Sequence, residues 1–245
     1  GLFYSPGSYS LTDEVISLAE EAGARGALYS SHLRSEGADG PGLFTAYQEA
    51  IEIGRRTGVR VEISHVKCKG KPVWGRASEV LEMMEQARRE GLDVAGDQYP
   101  YARSCTALTG ALFPRWALAG GRAATLERMD DTDTRAQIRA GIAANIALYE
   151  SADAFAIASF APRTEIEGST LAEIAREEGK DPEEAALTLY ELGEASVVLA
   201  SLRQDDVDTI SAAPFIAVAS DGSSLRTEGQ MSRGTPHPRN YGTFP

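Results

Sequence analysis

The chain has 245 residues, 42% hydrophobic and 24% charged. That composition suits one large domain, or a domain with an insertion, and excludes a disordered chain. Its net charge of -12 argues against a nucleic-acid partner and against a polybasic contact with membrane. No apolar run approaches the roughly 18 residues of a membrane span. Cys68 and Cys105 form neither a CxxC pair nor a zinc-finger spacing, which suggests a reducing, cytoplasmic setting.

The first hundred residues alternate helix and strand. "TDEVISLAEEAGARG" places Val15, Leu18, Ala19 and Ala22 on one helical face, with Gly23 or Gly26 to end it. "ALYSSHLR" reads as a short strand. "TAYQEAIEIGRRTG" is a second helix, with Tyr47, Ala50, Ile51 and Gly54 in step and basic residues in its last turn. The strand "VRVEISHV" follows, then the amphipathic helix "RASEVLEMMEQARREG" and a third strand, "LDVAGDQYPY". Strands separated by helices of this length form βαβ units and a parallel sheet.

The spacing is regular: His32 and His65 are 33 residues apart, and His65 and Tyr99 are 34. Each polar residue therefore falls near the C-terminal end of a strand. In a barrel that end carries the chemistry, and in an open sheet it is the ligand side. The rhythm breaks after Tyr101, in the Gly-, Pro- and aromatic-rich "ARSCTALTGALFPRWALAGG". Two helix starts follow. Thr170 and Glu173 form a capping-box pattern, and Asp181 and Pro182 an N-cap with proline at the first helical position. The next buried strand is "FIAVASDGS", ending at Asp221. The expected organisation is βα units over 1–101, an insertion or lid over 102–200, and a last unit with its following loop over 201–245.

Of the three histidines, His32 and His65 close successive strands. Either alone reads first as a hydrogen-bonded structural histidine. Asp221, before Gly222, reads alone as a turn cap. Together, two imidazoles and a carboxylate at the same sheet end suit a zinc-type site, with zinc-bound water as nucleophile and a carboxylate as general base. Strand alternation puts His65 and Lys67 on one side and Val66 and Cys68 on the other. Lys67 is then either a grip for an anionic substrate group or a solvated residue beyond the strand. Tyr99 either donates to a carbonyl or carboxylate or packs on Pro100. The loop "GKPVWGRAS" imitates a phosphate-binding loop. Arg76 and Ala77 stand where Lys and Ser or Thr are needed, so it is set aside.

The segments "YSSHLRSEG", "ISHVKCKGK", "DQYPY", "ASDGS" and "PHPRNYGTFP" occur in the same order as in the N-acyl-D-amino-acid deacylases of the amidohydrolase superfamily, which the chain resembles over nearly its whole length. The resemblance implies an α/β chain with a (β/α)8 TIM-barrel fold, here a partial barrel of about strands four to eight with an insertion before the last strand. It implies metal-binding roles for His32 and His65, and for Asp221 the role of catalytic base and potential second-metal ligand. It implies that Lys67, Tyr99 and Arg239 bind the substrate carboxylate and scissile carbonyl. Cys105 stands where a serine is usual, which bears on acyl or side-chain preference. The cofactor implied is zinc, one ion or two, and the partner a small N-acyl-D-amino acid.

The family's HxH pair and its cysteine metal ligand are expected ahead of Gly1, so the chain resembles the middle of a longer enzyme, inactive as an isolated piece. Two other catalytic readings are a cyclic-amide hydrolase of the hydantoinase or dihydroorotase kind, disfavoured because "GLFYSPG" offers no bridging lysine, and a Schiff-base lyase using Lys67. A non-catalytic binding module is a third.

Overall fold

The computed structural model describes all residues except Arg233 and Pro245, so the last residue of the motif "PHPRNYGTFP" lies outside the described residues. In chain order the elements are α1 (Thr12–Gly23), β1 (Leu28–Ser31), α2 (Leu43–Thr57), β2 (Arg60–Ile63), α3 (Ala77–Arg89), β3 (Val94–Gln98), β4 (Arg103–Ala107), α4 (Leu108–Leu112), α5 (Gly121–Asp130), α6 (Thr132–Ile146), β5 (Phe155–Ser159), α7 (Leu171–Glu177), α8 (Pro182–Leu192), β6 (Ser196–Ala200), α9 (Gln204–Ser211) and β7 (Ile216–Val218). They divide into two compact units. The first comprises residues 1–102, 202–221 and 242–245; the second comprises 103–201 and 222–241. No helix among the described residues is long and apolar enough to cross a membrane.

In the first unit, β1, β2, β3 and β7 form an open row of four parallel strands, in that order. β7 pairs directly with β3, so the chain between them leaves the sheet and returns to its edge. Helices α2 and α3 bury the faces their sequence marks, whereas α1 buries Val15, Ile16 and Ala19 and leaves Leu18 67% exposed, which corrects the expected inward face of that helix. Ala46, Tyr47, Ala50, Ile51 and Ile53 of α2 are buried, and α2 ends at Gly58, which takes the left-handed conformation (φ 68°). Gly54 lies so close to the strand behind it that an added Cβ would come within 2.6 Å of Val61 Cγ2. The N-terminus of α3 is capped from far along the chain. The buried Asp206 carboxylate accepts from the N–H of Gly75 (2.8 Å) and of Ala77 (3.2 Å). The loop that imitates a phosphate cradle therefore binds a carboxylate of its own chain.

The second unit pairs three antiparallel strands in the order β4-β6-β5. Helices cover a core that includes Leu112, Ile138, Phe155, Ile157, Leu171 and Leu187. The helix starts read from sequence are present. Thr170 and Glu173 form a complete capping box on α7, and Asp181 accepts from the Glu184 N–H at the start of α8.

Candidate metal centre

The three polar residues expected at strand ends lie just beyond them. His32 follows β1 by one residue, His65 follows β2 by two, and Tyr99 follows β3 by one. The short β2 corrects the alternation argument. His65 and Lys67 are not strand residues, because the chain leaves the sheet after Ile63 and turns. His65 takes a left-handed backbone (φ 43°), as does Asp221 (φ 48°). Among the described residues these are the only non-glycine positions with positive φ. Such conformations cost a side-chain-bearing residue about 1–2 kcal/mol and concentrate at functional sites.

The turn brings His65 and Lys67 together by another route. Lys67 Nζ lies 2.8 Å from His65 Nδ1 and 2.6 Å from Glu36 Oε1, and the lysine is only 4% exposed. The solvated reading of Lys67 is thereby excluded. Its ammonium also sits 5.4 Å from the centre of the Tyr99 ring. Tyr99 itself is buried in a small cluster with Leu202 and Val207.

Glu36 is the member that sequence reasoning missed. Its Oε1 lies 3.0 Å from His65 Nδ1 and 3.7 Å from His32 Nδ1. The ligand atoms of His32, Glu36 and His65 all fall within 4.8 Å of one another. Asp221 is not part of that compact group. It is solvent-exposed, and its charge acts on Lys67. The Glu36 loop is pinned beside the His65 turn by the Lys69 N–H, which donates to the Glu36 carbonyl at 2.8 Å. Gly37 permits this approach, since a Cβ there would come within 2.4 Å of the Lys69 carbonyl oxygen. The only sequence signal for Glu36 was its place in "HLRSEG", four residues after His32 and directly before a glycine.

His32 is wrapped by aromatics. Phe3 stacks on its ring at 5.2 Å, Tyr4 meets it edge-on at 5.1 Å, and the His65 ring lies 4.6 Å away, nearly perpendicular. Its Nδ1–H donates to the Leu33 carbonyl at 3.0 Å. A carbonyl only accepts, so this bond fixes the tautomer and leaves the Nε2 lone pair available. Burial pulls the His32 imidazole down to about 4, against the opposing charge of Glu36, so it is neutral at physiological pH. Burial alone would raise the Glu36 carboxyl. The neighbouring His32, Lys67 and His65 outweigh it and hold Glu36 well below the usual carboxylate range. Burial lowers Lys67, with Glu36 opposing.

At His65 two partners compete for Nδ1. As a donor to Glu36 it leaves Nε2 free; as an acceptor from Lys67 it puts the proton on Nε2.

Arg239 belongs to the second unit. It is buried, its guanidinium donates to the Cys105 carbonyl at 3.3 Å, and its backbone N–H donates to His237 Nδ1 at 3.0 Å. Cys105 Sγ lies 3.5 Å from Ser196 Oγ. Cys68 is buried, and burial pushes its thiol up to about 12, so it is neither a nucleophile nor a ready ligand.

Two imidazoles and a carboxylate, one imidazole held neutral with a fixed free nitrogen, are the donor set of a transition-metal centre and fit zinc. The first unit is thus an α/β scaffold that gathers side chains able to hold a metal ion just beyond the C-terminal ends of parallel strands. Comparison with known proteins gives that class a particular form. The chain is 33% identical over 244 residues to N-acyl-D-glutamate deacylase of Alcaligenes xylosoxydans xylosoxydans, matching 100% of this chain and 40% of that protein.

Among solved structures, N-acyl-D-glutamate deacylase from Bordetella bronchiseptica, complexed with zinc and a phosphonate mimic of the tetrahedral intermediate, superposes with a TM-score of 0.73. The identity is 30%, over 99% of this chain and 41% of that one. A D-aminoacylase with a binuclear metal centre gives 0.70 at 29% identity, over 99% and 41%. No family model matches. The resemblance to the N-acyl-D-amino-acid deacylases is therefore shown along the whole chain, which shares the α/β fold of D-aminoacylase structures. The chain spans about two fifths of the length of the curated relatives it matches.

Proposed function

We propose that this chain carries part of the active site of a zinc-dependent amide hydrolase that releases D-amino acids from N-acyl-D-amino acids. The observation that carries the reading is the close group of His32, Glu36 and His65, with the Lys67 ammonium against Glu36 and His65. The likeness to deacylases that include a zinc complex supports it. We further read the four parallel strands as one arc of a (β/α)8 barrel. The two free thiols support a reducing, cytoplasmic setting.

In this reading His32 and His65 hold the metal through imidazole nitrogens, and Glu36 supplies the adjoining negative charge. When bound, zinc would polarise the scissile carbonyl and make a water nucleophilic near neutral pH. Asp221, which lies three residues beyond the short, largely exposed β7 and not at the end of a buried strand as expected, takes the proton from the attacking water and delivers it to the leaving amine; it is also the candidate ligand for a second ion. Lys67 holds the substrate α-carboxylate by charge. The Tyr99 hydroxyl donates to the scissile carbonyl oxygen.

The likeness to deacylases, one of them solved with zinc, argues against the lyase reading, although burial lowers Lys67 against the opposing charge of Glu36. The test is metal dependence. The full-length protein, stripped with chelator, should lose amide hydrolysis of N-acetyl-D-glutamate and regain it with zinc. Activity that survives stripping, with a borohydride-trapped adduct on Lys67, would overturn the proposal.

A further inference from the structure

Asp97 is a residue to which neither the resemblance nor the compact ligand group gives a role. It sits near the end of β3, and its carboxylate Oδ1 accepts the backbone N–H of His65 at 2.7 Å. Its own carbonyl accepts the next N–H, that of Val66, at 2.8 Å. One residue thus binds two successive amides of the turn, one through its side chain and one through its backbone. The first of those amides belongs to His65, which is held left-handed at φ 43°.

The close approach that allows this is built into the neighbouring position. A Cβ on Gly96 would come within 2.7 Å of Val66 Cγ2 and 2.9 Å of the Ile63 carbonyl oxygen, so β3 presses directly on the turn. Asp97 in turn adjoins Glu62 of β2. The Glu62 carboxylate accepts from the hydroxyls of Ser30 and Ser64.

A left-handed histidine persists only if its surroundings over-determine it. If the turn relaxed to an ordinary backbone, the imidazole would no longer be aimed at Glu36 and His32. We propose that Asp97 is a positioning residue for the metal centre: by accepting the His65 amide it locks the turn that presents the imidazole. This rests on the metal-centre reading above. It extends the usual support of a metal-bound histidine, which acts on the far ring nitrogen, to the backbone of the ligand. Only an acceptor is required at this position, so Asn serves where Ala does not.

The test compares Asp97→Ala and Asp97→Asn with wild type in the full-length protein. Two quantities are read: zinc affinity by competition with a chromophoric chelator, and hydrogen exchange of the His65 amide in zinc-free protein. Asp97→Ala should weaken zinc binding about 10–100-fold and speed exchange of that amide. Asp97→Asn should stay within about threefold of wild type in both, on the acceptor argument. Asp97→Ser, whose oxygen is drawn back, replaces the alanine variant should that fail to fold. Unchanged zinc affinity in Asp97→Ala, or equal impairment in Asp97→Asn, would overturn the proposal. A wild type that binds no zinc would overturn the metal reading. Exchange would still decide the clamp: protection in wild type and Asp97→Asn but not in Asp97→Ala upholds it, and equal exchange in all three overturns it.

Discussion

Lys67 Nζ lies 2.6 Å from Glu36 Oε1, and both side chains are buried. Removing one member of a buried pair strands the other charge and costs about 3–5 kcal/mol. Lys67→Met alone should therefore lower the urea midpoint sharply. Combining it with Glu36→Gln should recover more than half of the loss, since no unpaired charge then remains. Losses that simply add would show that the two charges do not support one another.

His32 predicts an acid-sensitive fold. Its folded value of about 4 lies below the ordinary 6.5, so between those limits the unfolded chain takes up a proton that the folded chain refuses. The stabilisation is complete above pH 6.5 and is lost as pH falls towards 4, by about 3 kcal/mol at most. Denaturation of metal-free protein at stepped pH should show this slope, and His32→Gln should flatten it. Stability that rises on acidification through that window would contradict the assignment.

Much of the first unit was legible because its signals are local. Helical periodicity placed α1, α2 and α3, and the even spacing of His32, His65 and Tyr99 marked one end of the sheet. Glu36 was not legible, because an acid in a glycine-rich loop ordinarily faces solvent and only the meeting of two loops buries it. Strand alternation put His65 and Lys67 on one side without expecting them to touch, and their contact arises from a left-handed turn that no sequence pattern announces at a histidine. In the second unit the helix starts at Thr170 and Asp181 were readable. The pairing of Cys105 with Val198 joins residues far apart in sequence and was not.

Gly37 should matter to the site and Gly58 should not. Gly37→Ala forces a Cβ against the Lys69 carbonyl; overpacking of this kind costs about 1–3 kcal/mol, and it should also reduce zinc affinity by displacing Glu36. Gly58→Ala meets nothing in space but is strained at φ 68°, costing about 1 kcal/mol with zinc affinity unchanged. Isothermal titration with zinc alongside thermal denaturation separates the two outcomes.

Asp221→Asn tests the proton-transfer role. Asn tolerates the left-handed backbone that Asp221 adopts, so the fold should be kept. The kcat should fall about 10²- to 10⁴-fold while at least one zinc is retained. Full activity in this variant would move the base elsewhere.

The most direct test of the central claim is stereochemical. The zinc-loaded full-length protein should be assayed on matched N-acetyl-D- and N-acetyl-L-amino acids, glutamate first, with kcat/KM measured for each. The account predicts hydrolysis of the D-substrate, loss of the preference when Lys67 is replaced by Met, and little turnover of the L-form. Equal hydrolysis of both enantiomers, or of neither with zinc bound, would contradict it.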